Sequence, residues 1–147
     1  MFKNRKFWCP CNQYNLWDNR EKHQNKHLFD QYSFTHISGG FFQYILFKKY
    51  GFLFNLILHI VFEIFENASA GIKFFRNEYD IYKGDTIANI IGDLFMFAVG
   101  YYTISKIKIN NILLFITFEM LLYFVYNDNF FLVFYKSFLN FLYSKKV

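Results

Sequence analysis

Charged side chains make up only 18% of the 147 residues, cysteine occurs twice and proline once. Soluble domains usually carry about 25% charge, whereas here hydrophobic residues reach 54% and phenylalanine alone contributes 23. Cys9 and Cys11 are the only cysteines, and a bridge across one intervening residue is strained, so no disulfide framework is expected. No Gly-x-Ser-x-Gly, Walker loop, dinucleotide fingerprint or His-Glu-x-x-His occurs, so none of those catalytic classes is indicated. A cleavable signal peptide is not expected either, because neither an apolar core nor a small-residue cleavage site follows the basic N-terminus. The net charge of +5 comes without a basic stripe. Its Lys and Arg residues stand at segment ends, where they meet anionic lipid and set orientation in a membrane protein. Membrane lipid is therefore the expected partner, and nucleic acid is not.

Two regions are present. Residues 1–31 are polar and irregular, with Trp8, Tyr14 and Trp17 suited to a bilayer surface. Cys9 and Cys11 with His23 or His27 could hold zinc, but Cys-x-Cys is not a standard zinc-knuckle spacing. Two unbridged cysteines on an interfacial loop are the simpler expectation. Residues 32–147 hold five apolar stretches, at about 32–47, 51–66, 85–104, 110–126 and 130–143. A spanning helix needs about 17–20 residues, which only the third and fourth supply; the others need snorkelling side chains or a locally thinned bilayer. A soluble helical bundle would show one polar face per helix. Stretches 51–66 and 110–126 are instead apolar nearly all round, with polar residues confined to narrow rows. The expected fold is all-α: an integral membrane bundle of four to five transmembrane helices, with a polar N-terminal interfacial segment.

Those polar rows hold the candidate chemistry. His59, Glu63 and Glu66 stand at i, i+4 and i+7, and Asp85, Asn89 and Asp93 at i, i+4 and i+8, so each set shares a helical face. A carboxylate at bilayer depth costs about 2.5–3.5 kcal/mol. Two on one face also repel, so a proton, a counter-cation or a metal is required. Glu63, Glu66, Asp85 and Asp93 form an oxygen-rich set suited to a divalent cation such as magnesium or manganese. His36 shares a face with Gly39, Gly40 and Gln43, and the paired glycines allow close approach of another backbone. The expected site is His36, Glu63, Glu66, Asp85, Asn89 and Asp93, with Arg76, His27 and Asp30 toward the substrate. Hydrogen-bonded helix contacts are the alternative role for the acids. Arg76 and Lys83 stand where they could pair with Glu78 and Asp80 or meet a phosphate. Asp128 and Asn129 read as a helix cap.

Trp8, Cys9, Cys11, Trp17, the run Asn25 to Asp30 with His27, Tyr32 to His36, Glu63 to Asn67, Arg76, Tyr82 to Asn89, Asp93 and Asp128-Asn129 form an ordered set. In order and spacing the chain resembles an uncharacterised bacterial membrane family, catalogued as domain of unknown function 2585, over residues 8 to about 132. The resemblance implies a multi-pass helical membrane protein and no particular activity. Family members usually carry a further apolar helix before the Cys-x-Cys segment, and a second histidine where this chain has Gly39. A fainter similarity, in the Glu-rich helix and the later Asp/Asn row, is to VanZ-like membrane proteins. Three functions stay open: metal-assisted or acid–base chemistry on a lipid-linked phosphate, a non-enzymatic binder or carrier, and a structural scaffold.

Overall fold

The computed structural model describes residues 5–11, 15–18, 20, 23–76 and 82–143, and its second region is built of helices. Six α-helices follow one another among the described residues: α1 (Ser33–Phe47), α2 (Gly51–Glu66), α3 (Ser69–Arg76), α4 (Ile87–Lys106), α5 (Asn111–Tyr126) and α6 (Phe130–Tyr143). The N-terminal segment is irregular, with a single parallel bridge between Trp17 and Phe29.

Two helical runs are long and apolar enough to cross a membrane, Ser33–Glu66 and Ile87–Lys106. The first folds back on itself. A short 3-10 turn at Lys48–Tyr50 leads into Gly51, whose φ of +80° suits a residue without a Cβ. In a straight helix His36 and His59 would lie about 35 Å apart; here Nδ1 of one is 3.1 Å from Nε2 of the other. Each arm of this hairpin is about 22–24 Å long by helical rise, against about 30 Å for α4.

The tightest pairing is α1 along α4. The two run parallel, with Ser33 beside Asp93, Gly40 beside Phe97 and Tyr44 beside Tyr101. Phe41, Ile104 and Phe115 form the apolar core where α1, α4 and α5 meet. Burial is otherwise inverted relative to a soluble bundle: polar residues outnumber hydrophobic ones in the described interior, while Leu53, Ile57, Leu113, Ile116 and Phe124 (76% exposed) face outward.

Beyond the five expected stretches the chain forms a further helix, α3. Two expectations need correction. Asp85 lies outside α4, because Thr86 is the N-cap, extended at φ −73° and ψ 163°, with its hydroxyl accepting from the Asn89 N–H. Asp85, Asn89 and Asp93 therefore do not form one helical row. Of the paired glycines only Gly40 brings backbones together, because a Cβ there would strike the Phe97 carbonyl and the Tyr101 amide; at Gly39 it would meet only side chains, 3.8 Å away. The cap expected at the last turn is present, with Asn129 Oδ1 accepting from the Leu132 N–H at 2.9 Å.

This difference sets a test. Gly40→Ala must separate α1 from α4 and should cost about 1–3 kcal/mol, whereas Gly39→Ala should leave the melting temperature in detergent within about a degree of wild type. Equal melting temperatures for the two variants would contradict the α1–α4 crossing.

Candidate functional site

The site is assembled at one end of the bundle. His36 lies in the first turn of α1, Glu63 and Glu66 in the last turn of α2, Asp85 just before α4 and Asp93 two turns into it. Lys48, Lys49 and Lys106 belong to the opposite end, where Phe52 packs on Tyr101 and Tyr102.

The α2 row faces inward: His59 and Glu63 are buried, and Glu66 is partly exposed, lining a cavity of about 520 Å³. His59 stacks on Phe97, ring centroids 4.1 Å apart, which fixes its plane. His36 Nδ1 lies 3.2 Å from Glu63 Oε1, His59 Nε2 lies 3.5 Å from the same oxygen, and His36 Nε2 lies 3.7 Å from Asp93 Oδ2. Asp93 is held by the Ser33 hydroxyl, which donates to Oδ1 at 2.7 Å.

Two groups of three potential ligands share Glu63: His36, His59 and Glu63, and Glu63, Glu66 and Asp85. Within each, the donor atoms lie within 4.8 Å of one another. Donors on opposite sides of a small divalent ion at about 2.1 Å would be about 4.2 Å apart, so both groups approach a coordinating size. Glu63 is 3% exposed, yet neither of its oxygens forms a hydrogen bond among the described residues, even with two imidazoles beside Oε1. The imidazoles widen the metal choice from oxygen-seeking ions to manganese, iron or zinc at the first group, while the second suits magnesium or manganese.

Asp85 is positioned by a tight knot. Its Oδ2 accepts from Asn67 Nδ2 at 2.6 Å and from the Tyr82 hydroxyl at 3.1 Å, and its N–H donates to Asn67 Oδ1 at 2.9 Å. Arg5 ties the same two residues together by donating to the Asp85 and Asn67 carbonyls at 2.7 and 2.8 Å. The backbone of Lys6 and Phe7 accepts from the Ile87 and Ala88 N–H groups, so the N-terminal segment caps α4 over the site.

The cavity lining combines polar side chains, among them Lys26, Lys83, Glu66, Asp85, Asp93, His36 and His59, with apolar ones such as Phe42, Phe47, Leu58, Phe62, Phe75 and Phe134. Among the residues predicted for the site, His36, Glu66, Asp85 and Asp93 line this cavity. Glu63 stands behind them. Asn89 is buried outside the lining, with its side-chain amide atoms unmet. Asp30 is spent on a chain turn, accepting from the N–H groups of Asn25, Tyr32 and Ser33. His27 belongs to a different cluster, beside Cys11. The Arg76 side chain, Glu78 and Asp80 lie outside the described residues.

A family described as protein of unknown function, DUF2585, matches residues 1–137. The chain belongs to that family. A UPF0314 protein of Brucella anthropi is 29% identical over 140 residues, which cover 87% of this chain and 71% of the relative. No solved structure matches. These findings do not extend to the VanZ-like proteins.

In this DUF2585 chain, sequence spacing missed the contributions of Asn67, Tyr82, Lys26 and Arg5. Asn67 and Tyr82 sit beside predicted acids, but only the return of α4 against α2 brings their side chains onto Asp85. Glu119, the lone charge of α5, is not part of the cavity; Ser38 donates to it across the α1–α5 contact.

Burial pushes the Asp85 carboxyl up to about 6, against hydrogen bonds from Asn67 and Tyr82 that favour its ionised form. The folded chain thus keeps this proton to higher pH than the unfolded chain, whose aspartates titrate near about 3.9. Stability through this group is full below about pH 4 and declines as pH rises to about 6. Asp85→Asn keeps an acceptor oxygen for both partners and should flatten the fall in melting temperature between about pH 4 and 7. A variant with the wild-type slope would assign that slope to another group.

Proposed function

We propose that this DUF2585 protein is a multi-pass membrane protein whose cavity takes a lipid-linked phosphate and acts on it by metal-assisted or acid–base chemistry. The observation that carries the reading is Glu63, a buried carboxylate whose oxygens form no hydrogen bond among the described residues and which two groups of potential ligands share. A charge left so would be expensive in an apolar interior, and a divalent cation offsets that cost directly.

Support for the membrane comes from the inverted burial. Leucine, isoleucine and phenylalanine cover the outside of α2 and α5, and the ionisable groups turn inward. On this reading α4 spans, and the shorter α1, α2, α5 and α6 cross with snorkelling ends or line a thinned bilayer. Support for an amphiphilic ligand comes from the cavity, whose phenylalanine wall suits an acyl or prenyl chain and whose polar part offers Lys26 and Lys83 to an anionic head. In such a complex Glu63, Glu66 and Asp85 would hold the cation, which leaves the imidazole of His36 free. The cation supplies Lewis-acid polarisation of a phosphoryl oxygen. His36, within 3.7 Å of both Glu63 and Asp93, is placed to hand a proton to or from the reacting group.

The test is cation dependence. Detergent-purified wild type should gain about 2.7 kcal/mol of stability from manganese at a hundredfold excess over Kd, and Glu63→Gln should lose that gain while keeping its helical circular dichroism. With polyprenyl phosphate in mixed micelles, phosphate release should follow the same cation and fall at least about tenfold in the variant. Gradient-driven movement in proteoliposomes without release would favour a carrier, and a variant altered only in stability would favour a scaffold.

A further inference from the structure

Outside the cavity a second cluster forms in the N-terminal segment, and it was not the simpler expectation for these residues. Cys9 and Cys11, on either side of Pro10, carry unbridged thiols. Cys9 Sγ lies 3.4 Å from His23 Nδ1, Cys11 Sγ lies 3.7 Å from His27 Nε2, and the two imidazole nitrogens lie 3.4 Å apart. Zinc–sulfur bonds of about 2.3 Å and zinc–nitrogen bonds of about 2.0–2.1 Å give a tetrahedron whose edges are about 3.3 Å between nitrogens and about 3.6 Å between sulfur and nitrogen. All three measured separations match those edges. We infer that Cys9, Cys11, His23 and His27 form a structural zinc site.

The surroundings favour coordination over simple thiol–imidazole hydrogen bonding. His27 is fully buried, and its Nδ1 lies 2.7 Å from the Asn15 carbonyl, which only accepts. That places the proton on Nδ1 and leaves the Nε2 lone pair directed into the cluster, the tautomer a metal needs. Trp8 packs edge-on against the His27 ring and restricts it further. Asp18 Oδ2 lies 3.6 Å from His27 Nε2 and 3.7 Å from His23 Nδ1, but the carboxylate is gripped by Arg20. Two thiolates balance the charge of the ion, so Asp18 stays outside it.

The position of the site gives it a job. His23 and His27 flank Asn25 and Lys26, which line the cavity and whose carbonyls accept from Thr86 at the start of α4. Zinc would fix this lip, where no hydrophobic core of its own could.

Protein purified without chelator should carry about one zinc per chain. Cobalt exchanged into it should show the intense visible bands of a tetrahedral site together with thiolate-to-cobalt charge transfer. His23, partly exposed, is the residue to change with least harm to folding. His23→Ala should weaken zinc binding at least about 100-fold, and His23→Cys should restore it with stronger charge transfer. Glu63→Gln should leave the thiolate-to-cobalt charge-transfer bands unchanged, which separates this site from the thiol-free cavity. Zinc-free protein that gives only the weak spectrum of octahedral cobalt would overturn the inference, as would full zinc retention in Cys9→Ser/Cys11→Ser or failure of His23→Cys to bind.

Discussion

The arrangement turns on one side chain, Asn67, and on what it must satisfy at once. Its amide donates back to the Glu63 carbonyl at 3.1 Å, closing the end of α2. The same amide donates to the Asp85 carboxylate, and its oxygen accepts the Asp85 N–H. An asparagine is suited to this because it carries donors and an acceptor on one short stem. The end of α2 and the approach to α4 are thereby locked together across 18 residues of chain. Glu63 and Glu66 then have no choice but to face Asp85, and Arg5 clamps the junction from the N-terminal side.

From that junction follows the depth of the site. Its acids occupy the ends of helices, not their middles, and the N-terminal segment lies across them. If the bundle lies in a bilayer as proposed, this end position requires less compensation for the ionisable groups than the centre would. Farther from the site, Phe41, Ile104 and Phe115 pack as an apolar core, with Ser38 and Glu119 paired beside it. Gly40 allows α1 to lie directly on the α4 backbone there, which in turn brings Ser33 onto Asp93 and His36 to the cavity wall.

Sequence periodicity reached the parts of this structure that are local. The α2 row was legible because i, i+4 and i+7 spacing within an unbroken helix maps directly onto a face. The second row was misread at Asp85 because Thr86 and Asn89, three residues apart, form a cap, and a cap ends the periodicity. The all-helical fold was legible from uninterrupted apolar stretches. The reversal at Lys48–Tyr50 was only hinted at by two lysines and a glycine. The cysteine–histidine set was named from composition with His23 or His27 as alternatives. Asn25, between the two histidines, lets the chain turn so that both meet the cysteines. That residue adopts φ +60°, a left-handed turn that asparagine tolerates, between His23 and His27. Nothing periodic announces such a turn.

The order of charge along the cavity constrains the ligand. Lys83 is exposed and Lys26 half-buried, while Asp85 and Asp93 are buried. An anionic head drawn in by the lysines would next meet carboxylates, and charges of one sign about 4 Å apart repel by about 4 kcal/mol at a dielectric typical of such sites. Phosphate and bare acids are therefore incompatible neighbours. A divalent ion between them reverses the sign of the contact, giving attraction on both sides, and Glu63 is the carboxylate placed to anchor it from behind. The phosphate reading and the metal reading thus stand or fall together. A ligand with a cationic head would need no ion at all, and it would find the lysines, not the acids, in its way.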